Sequence, residues 1–88
     1  KRGQVDGNGN IYILADKPPF IRKYTDGKLI KWWGYNGEVD GRIQDPVDLT
    51  LDRDGNIYVA DEGREGPGRI QKFTPEGKLI WRLDGIPE

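Results

Sequence analysis

The sequence predicts an all-β chain made of two successive four-stranded antiparallel sheets. The first observation is an internal repeat, because Ile11-Tyr12 and Ile57-Tyr58 lie in nearly identical stretches at a shift of 46 residues. A period in this range is typical of proteins built from repeated supersecondary units. The second observation is that 13 glycines and six prolines are spread along 88 residues, as in short strands joined by tight turns.

The first repeat is predicted to begin with a weak or truncated strand at residues 1–6. Lys1 and Gly3 stand there where the second repeat has Val47 and Leu49, so the alternation of apolar and polar residues is poor. The Asp-Gly-Asn-Gly-Asn cluster that follows predicts a hairpin turn, and a second one is predicted at 25–28. The remaining strands of this repeat are predicted at 11–15, 20–24 and 29–33, with the prolines at 18 and 19 ending the first of them.

The second repeat is predicted to run in the same order after a Gly-rich connection. Its strands are expected at 47–51, 57–60, 69–73 and 78–83. The loop at 61–68 is longer than its counterpart at 16–19, so the two copies differ in a loop and not in a strand. Insertions confined to loops are what a structural repeat requires.

The last strand of each repeat is apolar on both faces. Strict alternation would place Leu79, Trp81 and Leu83 on one face and Ile80 on the other, and in the first repeat it would place Leu29 and Trp33 opposite Ile30 and Trp32. A sheet with one wet face should instead alternate apolar with polar residues. Sheets stacked face to face around a ring cover both sides, so the pattern favours propeller blades.

The chain is therefore interpreted as one propeller segment, residues 1–88. The first blade is expected at 1–34, the connection at 35–46, the second blade at 47–84, and the start of the next connection at 85–88.

Both repeats resemble NHL repeats, the blades of one β-propeller family. The stretch Asp-Gly-Asn-Ile-Tyr-Val-Ala-Asp at 54–61 is similar to the family's second strand, residues 69–73 to its third, and residues 76–79 to its turn into the fourth. Trp33-Gly34 and the segment ending at Pro46 resemble the link between blades. A departure is the loop at 61–68, where the family usually has a short Asn-rich loop.

The resemblance implies a ring of about six blades, of which this chain encodes about two. Two blades leave an apolar sheet face on each side, and such faces are normally covered. We expect either further blades of a longer chain or self-association, and three copies would make a ring of six.

Composition argues against several classes of function. Without Cys or His, the chain lacks thiolate metal ligands, disulfides and the commonest general base. The 14 basic and 15 acidic residues give a net charge of −1, which argues against a nucleic-acid partner. No apolar run reaches the roughly 18 residues of a membrane span. We predict no membrane insertion and no catalytic, cofactor-binding or metal-binding residues.

Two motifs invite a functional interpretation but fit a structural one better. The Asp52-Arg53-Asp54-Gly55-Asn56 stretch has oxygen-bearing residues at alternate positions, but its Gly is fourth and not sixth as in a calcium-binding EF-hand loop. A hairpin turn is therefore favoured, and likewise for residues 6–10. Asp16 and Asp61 occupy matching positions after the second strand, where a carboxylate commonly caps turn amides.

The aromatic residues are also open to two interpretations. Their rings could stack on sugars or bases. For Trp33 and Trp81 we favour the filling of space between blades, whereas for Trp32 and Tyr35 both alternatives stay open because they lie where the fourth strand ends.

The binding face is predicted from topology. In an up-and-down blade, the loops after the second and fourth strands emerge at one end, and here these loops are the long and variable ones, at 16–19, 34–46 and 61–68. Variable loops on a rigid scaffold usually carry binding. The candidate residues are Lys17, Tyr35, Arg42, Glu62, Arg64 and Arg69. We expect the three arginines to be solvated.

The leading hypothesis is a non-enzymatic interaction or scaffold module that binds a protein, glycan or other polymer through these loops, or self-assembles into a ring or filament. The resemblance implies two alternatives. One is a segment of a propeller enzyme of the metal-dependent lyase or hydrolase type, with catalytic residues in other blades. The other is an RNA-binding NHL propeller.

Overall fold

Eight antiparallel strands form two four-stranded sheets in the computed structural model, which describes residues 2–35, 41–62 and 67–86. Each sheet is a meander in which neighbouring strands follow one another in sequence. Blade 1 contains β1 (Arg2–Val5), β2 (Ile11–Leu14), β3 (Ile21–Thr25) and β4 (Lys28–Trp33). Blade 2 contains β5 (Pro46–Leu51), β6 (Ile57–Asp61), β7 (Gly68–Phe73) and β8 (Leu79–Ile86). Among the described residues, no helix is long and apolar enough to cross a membrane. This all-β architecture confirms the fold class predicted from the sequence, a partial propeller.

The meander divides the connections between two ends of the sheets. At the loop end, the chain leaves β2, β4 and β6, and the described residues of these connections are 15–20, 34–35, 41–45, 62 and 67. The hairpin end carries the short turns at 6–10, 26–27, 52–56 and 74–78. The first strand of blade 1 pairs with β2 over four residues, while its counterpart β5 has six residues.

A β-bulge in blade 2 changes which side chains share a face of the last strand. The register of β7 and β8 shifts between Lys72 and Phe73, so Leu79 pairs with Phe73 and Trp81 pairs with Lys72. Leu79 therefore turns toward the core, whereas Trp81 and Leu83 lie on the opposite face. The prediction that these three side chains share one face was wrong, because a bulge adds a residue that strict alternation does not count.

Blade 1 contains the same bulge, between Lys23 and Tyr24. As a result, Leu29 lies beside Tyr24 and Trp33 lies beside Ile21, on opposite faces of the sheet. The prediction that Leu29 and Trp33 share a face was wrong for the same reason.

The hydrophobic core lies between the two blades. Trp33 of blade 1 is 9% exposed, and its ring lies 5.9 Å from that of Phe73 in blade 2. Trp33 thus fills the space between blades, as predicted. Trp81 is 40% exposed on the outer face of blade 2 and contacts Tyr58 edge-on at 6.0 Å, so its place between two blades stays a prediction. Among the described residues no blade lies against that face.

Candidate functional site

The loop end of blade 2 is built around a buried ion pair. Asp61 ends β6 and lies directly opposite Arg69 of β7. Arg69 Nε donates to Asp61 Oδ2 at 3.1 Å, and the two side chains are 8% and 0% exposed. Charges buried this deeply require further hydrogen bonds to offset their lost hydration.

The Asp61 carboxylate finds those bonds in the connection between the blades. Its Oδ2 accepts from the amide of Gln44 at 2.9 Å, and its Oδ1 accepts from the amide of Asp45 at 2.7 Å. The predicted capping of turn amides is confirmed for Asp61. Glu62 adds a backbone bond by donating its amide to the carbonyl of Asp45 at 3.0 Å.

Two side chains of β7 bind the same connection at its earlier residues, Gly41 and Arg42. Arg69 Nη2 and Gln71 Nε2 both donate to the carbonyl of Arg42, at 2.6 and 2.8 Å. The Gln71 Oε1 accepts from the amide of Gly41 at 2.8 Å. The described part of the connection, 41–45, is therefore fixed by side chains that are themselves buried.

An apolar anchor completes this arrangement. Ile43 is fully buried, and its amide donates to the carbonyl of Tyr35 at 2.9 Å. Gly34 has a φ of +86°, and a Cβ there would lie 2.7 Å from Ile43 Cδ1, so only glycine allows this approach. The connection is thus a preorganised platform on the loop end.

The predicted site residues divide into exposed and buried members. Lys17, Tyr35, Arg42 and Glu62 are exposed on the loop end. The expectation of a solvated Arg69 was wrong, because this side chain pairs with Asp61 inside the network and is only 7% exposed as a residue. Arg64 lies outside the described residues.

Tyr35 and Trp32, whose roles were left open, lie together around a shallow groove of about 240 Å³ at the edge of blade 1. Its other lining residues are Pro19, Arg22 and Leu29. Arg22 is tied to the loop by donating its Nε to the carbonyl of Pro19 at 3.1 Å.

Sequence reasoning missed Gln71 and Ile43, although a signal existed for Gln71. Positions 69, 71 and 73 lie on one face of β7 because strand side chains alternate, and Phe73 is a core residue. This alternation predicts that Gln71 and Arg69 also point inward. Ile43 carried no such signal, since it lies in an irregular connection.

A groove of about 710 Å³ lies at the opposite, hairpin end, between the two blades. Asp6 and Asp52 lie on its wall, but their carboxylates are occupied by their own turns. Asp52 Oδ1 accepts from the amides of Asp54 and Asn56, both at 2.9 Å, and Asp6 bonds the same way. These bonds support the hairpin-turn interpretation of the repeated motif. No group of three or more potential metal ligands is present among the described residues.

The turn of Asp52 predicts a dependence of stability on acid. Burial raises the pKa of Asp52, but hydrogen bonds from Asn56, Asp54 and Tyr58 outweigh it, so the pKa lies below its ordinary value. The unfolded chain therefore binds the proton more readily, and this stabilisation is present above about pH 4 and lost as the pH falls through the lower, folded-state pKa. We expect the urea midpoint to drop between about pH 6 and pH 3, and to drop less in Asp52→Asn. Equal drops in Asp52→Asn and wild type would contradict this, with Asp54→Asn as the control in the same turn.

Comparison with known proteins gives two matches. A family profile described as NHL repeat matches residues 44–73, which run from the connection through β7. A protein named guanylate kinase from Bacillus subtilis (strain 168) is 30% identical over 81 residues, which cover 92% of this chain but 38% of that protein. The phosphate-binding signature G-x-x-x-x-G-K-[ST] is absent here, because Gly27-Lys28 and Gly77-Lys78 are both followed by Leu.

Proposed function

We propose that this chain, whose residues 44–73 match the NHL repeat profile, is a non-enzymatic interaction module that binds a protein partner through its loop end. The supporting observation is the buried network of Asp61, Arg69 and Gln71, which fixes the connection at 41–45 before any partner arrives. A loop that is already ordered loses little conformational entropy on binding, so more of the contact energy becomes affinity.

The side chains that this platform presents suit a protein surface. Tyr35 and Arg42 are exposed beside it, and Tyr and Arg are enriched among residues that dominate binding energy. Glu62 adds a negative charge to the same end of the sheets as the positive charges of Arg42 and Lys17. A polyanion such as RNA favours a surface of positive charge. A surface that carries both positive and negative charges fits a partner with charges of both signs.

The test is a binding screen followed by matched variants. The chain is screened against a displayed library of random peptides, with single-stranded RNA and oligosaccharides as the competing classes. The dissociation constant of the best ligand is then measured by calorimetry. We expect a peptide ligand and a loss of about tenfold or more in affinity for Tyr35→Ala and for Arg42→Ala.

The control variant is Arg53→Ala, which changes an exposed arginine at the hairpin end. It should bind the peptide with wild-type affinity. The proposal is overturned if Arg53→Ala loses binding while the loop-end variants keep it, or if RNA or an oligosaccharide is the ligand whose binding depends on Arg42.

A further inference from the structure

The interface between the two blades joins two different faces of the repeated sheet. One is the tyrosine face, which carries Tyr12 in blade 1 and Tyr58 in blade 2. The other is the isoleucine face, which carries Ile11 in blade 1 and Ile57 in blade 2. Inside the chain, the tyrosine face of blade 1 packs on the isoleucine face of blade 2, so Tyr12 and Ile57 are both fully buried.

The outer face of blade 2 is its tyrosine face, and it repeats the buried tyrosine face of blade 1. Lys72 lies over the Tyr58 ring at 5.1 Å, as Lys23 lies over the Tyr12 ring at 5.4 Å. The sheet registers match the remaining positions, which are Ile70 with Ile21, Trp81 with Lys31, and Leu83 with Trp33. Leu83 and Trp81 are 51% and 40% exposed.

The outer face of blade 1 is its isoleucine face, and it repeats the buried isoleucine face of blade 2. Five of the matched positions are Val5 with Leu51, Ile11 with Ile57, Ile13 with Val59, Tyr24 with Phe73, and Leu29 with Leu79, while Gly3 and Arg22 stand at the positions of Leu49 and Gln71. All five outer residues are apolar or aromatic, and Val5, Leu29 and Ile11 are 64%, 45% and 39% exposed. The chain therefore exposes the two halves of an interface that it also contains in assembled form.

We propose that a second copy of this chain docks head to tail, with the isoleucine face of its blade 1 on the tyrosine face of blade 2. Because both halves are present on one chain, each copy can use both at once. This is a heterologous interface, which produces a closed ring where the rotation closes and a filament where it does not. The proposal is independent of binding at the loop end, since it uses the sheet faces.

Two contacts of the internal interface, a hydrogen bond and a close packing contact, involve residues that have counterparts at the proposed junction. Within the chain, Lys23 Nζ donates to the carbonyl of Pro75 at 3.0 Å, and Trp33 packs so closely on Gly77 that a Cβ would meet its ring at 2.7 Å. At the proposed junction, Lys72 of one copy takes the place of Lys23. The turn at 25–27 of the second copy takes the place of the turn that contains Pro75 and Gly77. Gly27 of that turn has open space around its Cβ position, where the second copy can pack.

The two outer faces differ in side-chain size from the buried faces that they repeat. The tyrosine face of blade 2 is smaller at two positions, with Ala60 for Leu14 and Leu83 for Trp33. A concavity of about 260 Å³ surrounds Ala60. The isoleucine face of blade 1 is larger at one position, where Trp32 replaces Arg82, and smaller at another, where Gly3 replaces Leu49. A second copy carries the same two kinds of face that already pack together inside the chain, which favours it over an unrelated partner.

The test is sedimentation velocity of the full 88-residue chain over a range of concentrations. Val5→Glu places a charge on the isoleucine face of blade 1, and Leu83→Glu places one on the tyrosine face of blade 2. We expect wild type to form oligomers and each variant alone to associate at least about tenfold more weakly, because a buried unpaired charge is costly. An equimolar mixture of the two variants should form a one-to-one dimer, since each supplies the face that the other has lost.

Circular dichroism and the control Arg53→Glu at the hairpin end separate misfolding from lost association. Arg53→Glu should assemble like wild type. A wild-type chain that stays monomeric at every concentration overturns the proposal. The two faces would then be covered by other blades or by another partner. A mixture that fails to form a dimer when both variants are folded also overturns it, because it excludes the head-to-tail arrangement.

Discussion

Asp61→Ala is expected to destabilise the fold by about 3 to 5 kcal/mol, the usual cost of removing one partner from a buried ion pair. The variant leaves the Arg69 guanidinium buried without its carboxylate, and it removes the acceptor for the amides of Gln44 and Asp45. A chain of 88 residues typically has a total stability of about 4 to 13 kcal/mol, so the loss is a large share. Urea denaturation followed by tryptophan fluorescence measures it.

Asp16→Ala is the control, because Asp16 follows β2 and is exposed. The sheet register gives Asp61 the position of Ala15 in blade 1, so the prediction that Asp16 and Asp61 occupy matching positions was wrong. We expect it to change the free energy of unfolding by less than about 1 kcal/mol. Similar losses in the two variants would mean that an aspartate after the second strand stabilises either blade without the network of the loop end.

Gly77→Ala is expected to cost about 2 to 5 kcal/mol, for two separate reasons. Gly77 has a φ of +90°, and placing a Cβ in the left-handed region costs roughly 1 to 2 kcal/mol. The new methyl group would also lie 2.7 Å from two atoms of the buried Trp33 ring, and overpacking of this kind adds about 1 to 3 kcal/mol. The measurement is again the free energy of unfolding in urea.

Gly27→Ala isolates the first reason, because Gly27 occupies the same turn position in blade 1 with a φ of +78° and no atom within 4 Å of the added Cβ. It should cost only the backbone term of about 1 to 2 kcal/mol. Equal losses at both positions would show that Trp33 does not pack against the turn as described.

Local chemistry made the hairpin ends predictable from the sequence. The bonds that close the Asp52 turn lie within five residues, because its carboxylate accepts from the amides of Asp54 and Asn56 and from the Asn56 side chain. The same turn recurs at Asp6. Such bonds depend on short spacings that a sequence displays directly.

The faces of the fourth strands and the burial of Arg69 depend on longer-range geometry. Each bulge reverses the alternation after one residue, and the sequence carries no signal at Ile30 or Ile80 that marks it. Arg69 is buried because it meets Asp61 across the strand pair and the carbonyl of Arg42, which lies 27 residues earlier in the chain. From the sequence alone, a charged side chain is expected to be exposed to solvent.

Comparison of the two repeats also distinguishes residues that build the scaffold from residues that support the proposed binding surface. The turn motif shared by both blades bonds to itself, whereas the loop end depends on residues that the copies do not share: Arg69 corresponds to Phe20, and Gln71 to Arg22. The unshared residues hold the platform on which binding is proposed.

The most direct test of this account is to map a bound ligand by amide resonances of the ¹⁵N-labelled chain. Titration with the selected peptide is predicted to shift the amides of Lys17, Tyr35, Arg42 and Glu62, and to leave those of Asn8 and Asp54 at the hairpin end unchanged. Shifts concentrated at Asn8 and Asp54, with the loop end unaffected, would contradict the proposal that the loop end is the binding surface.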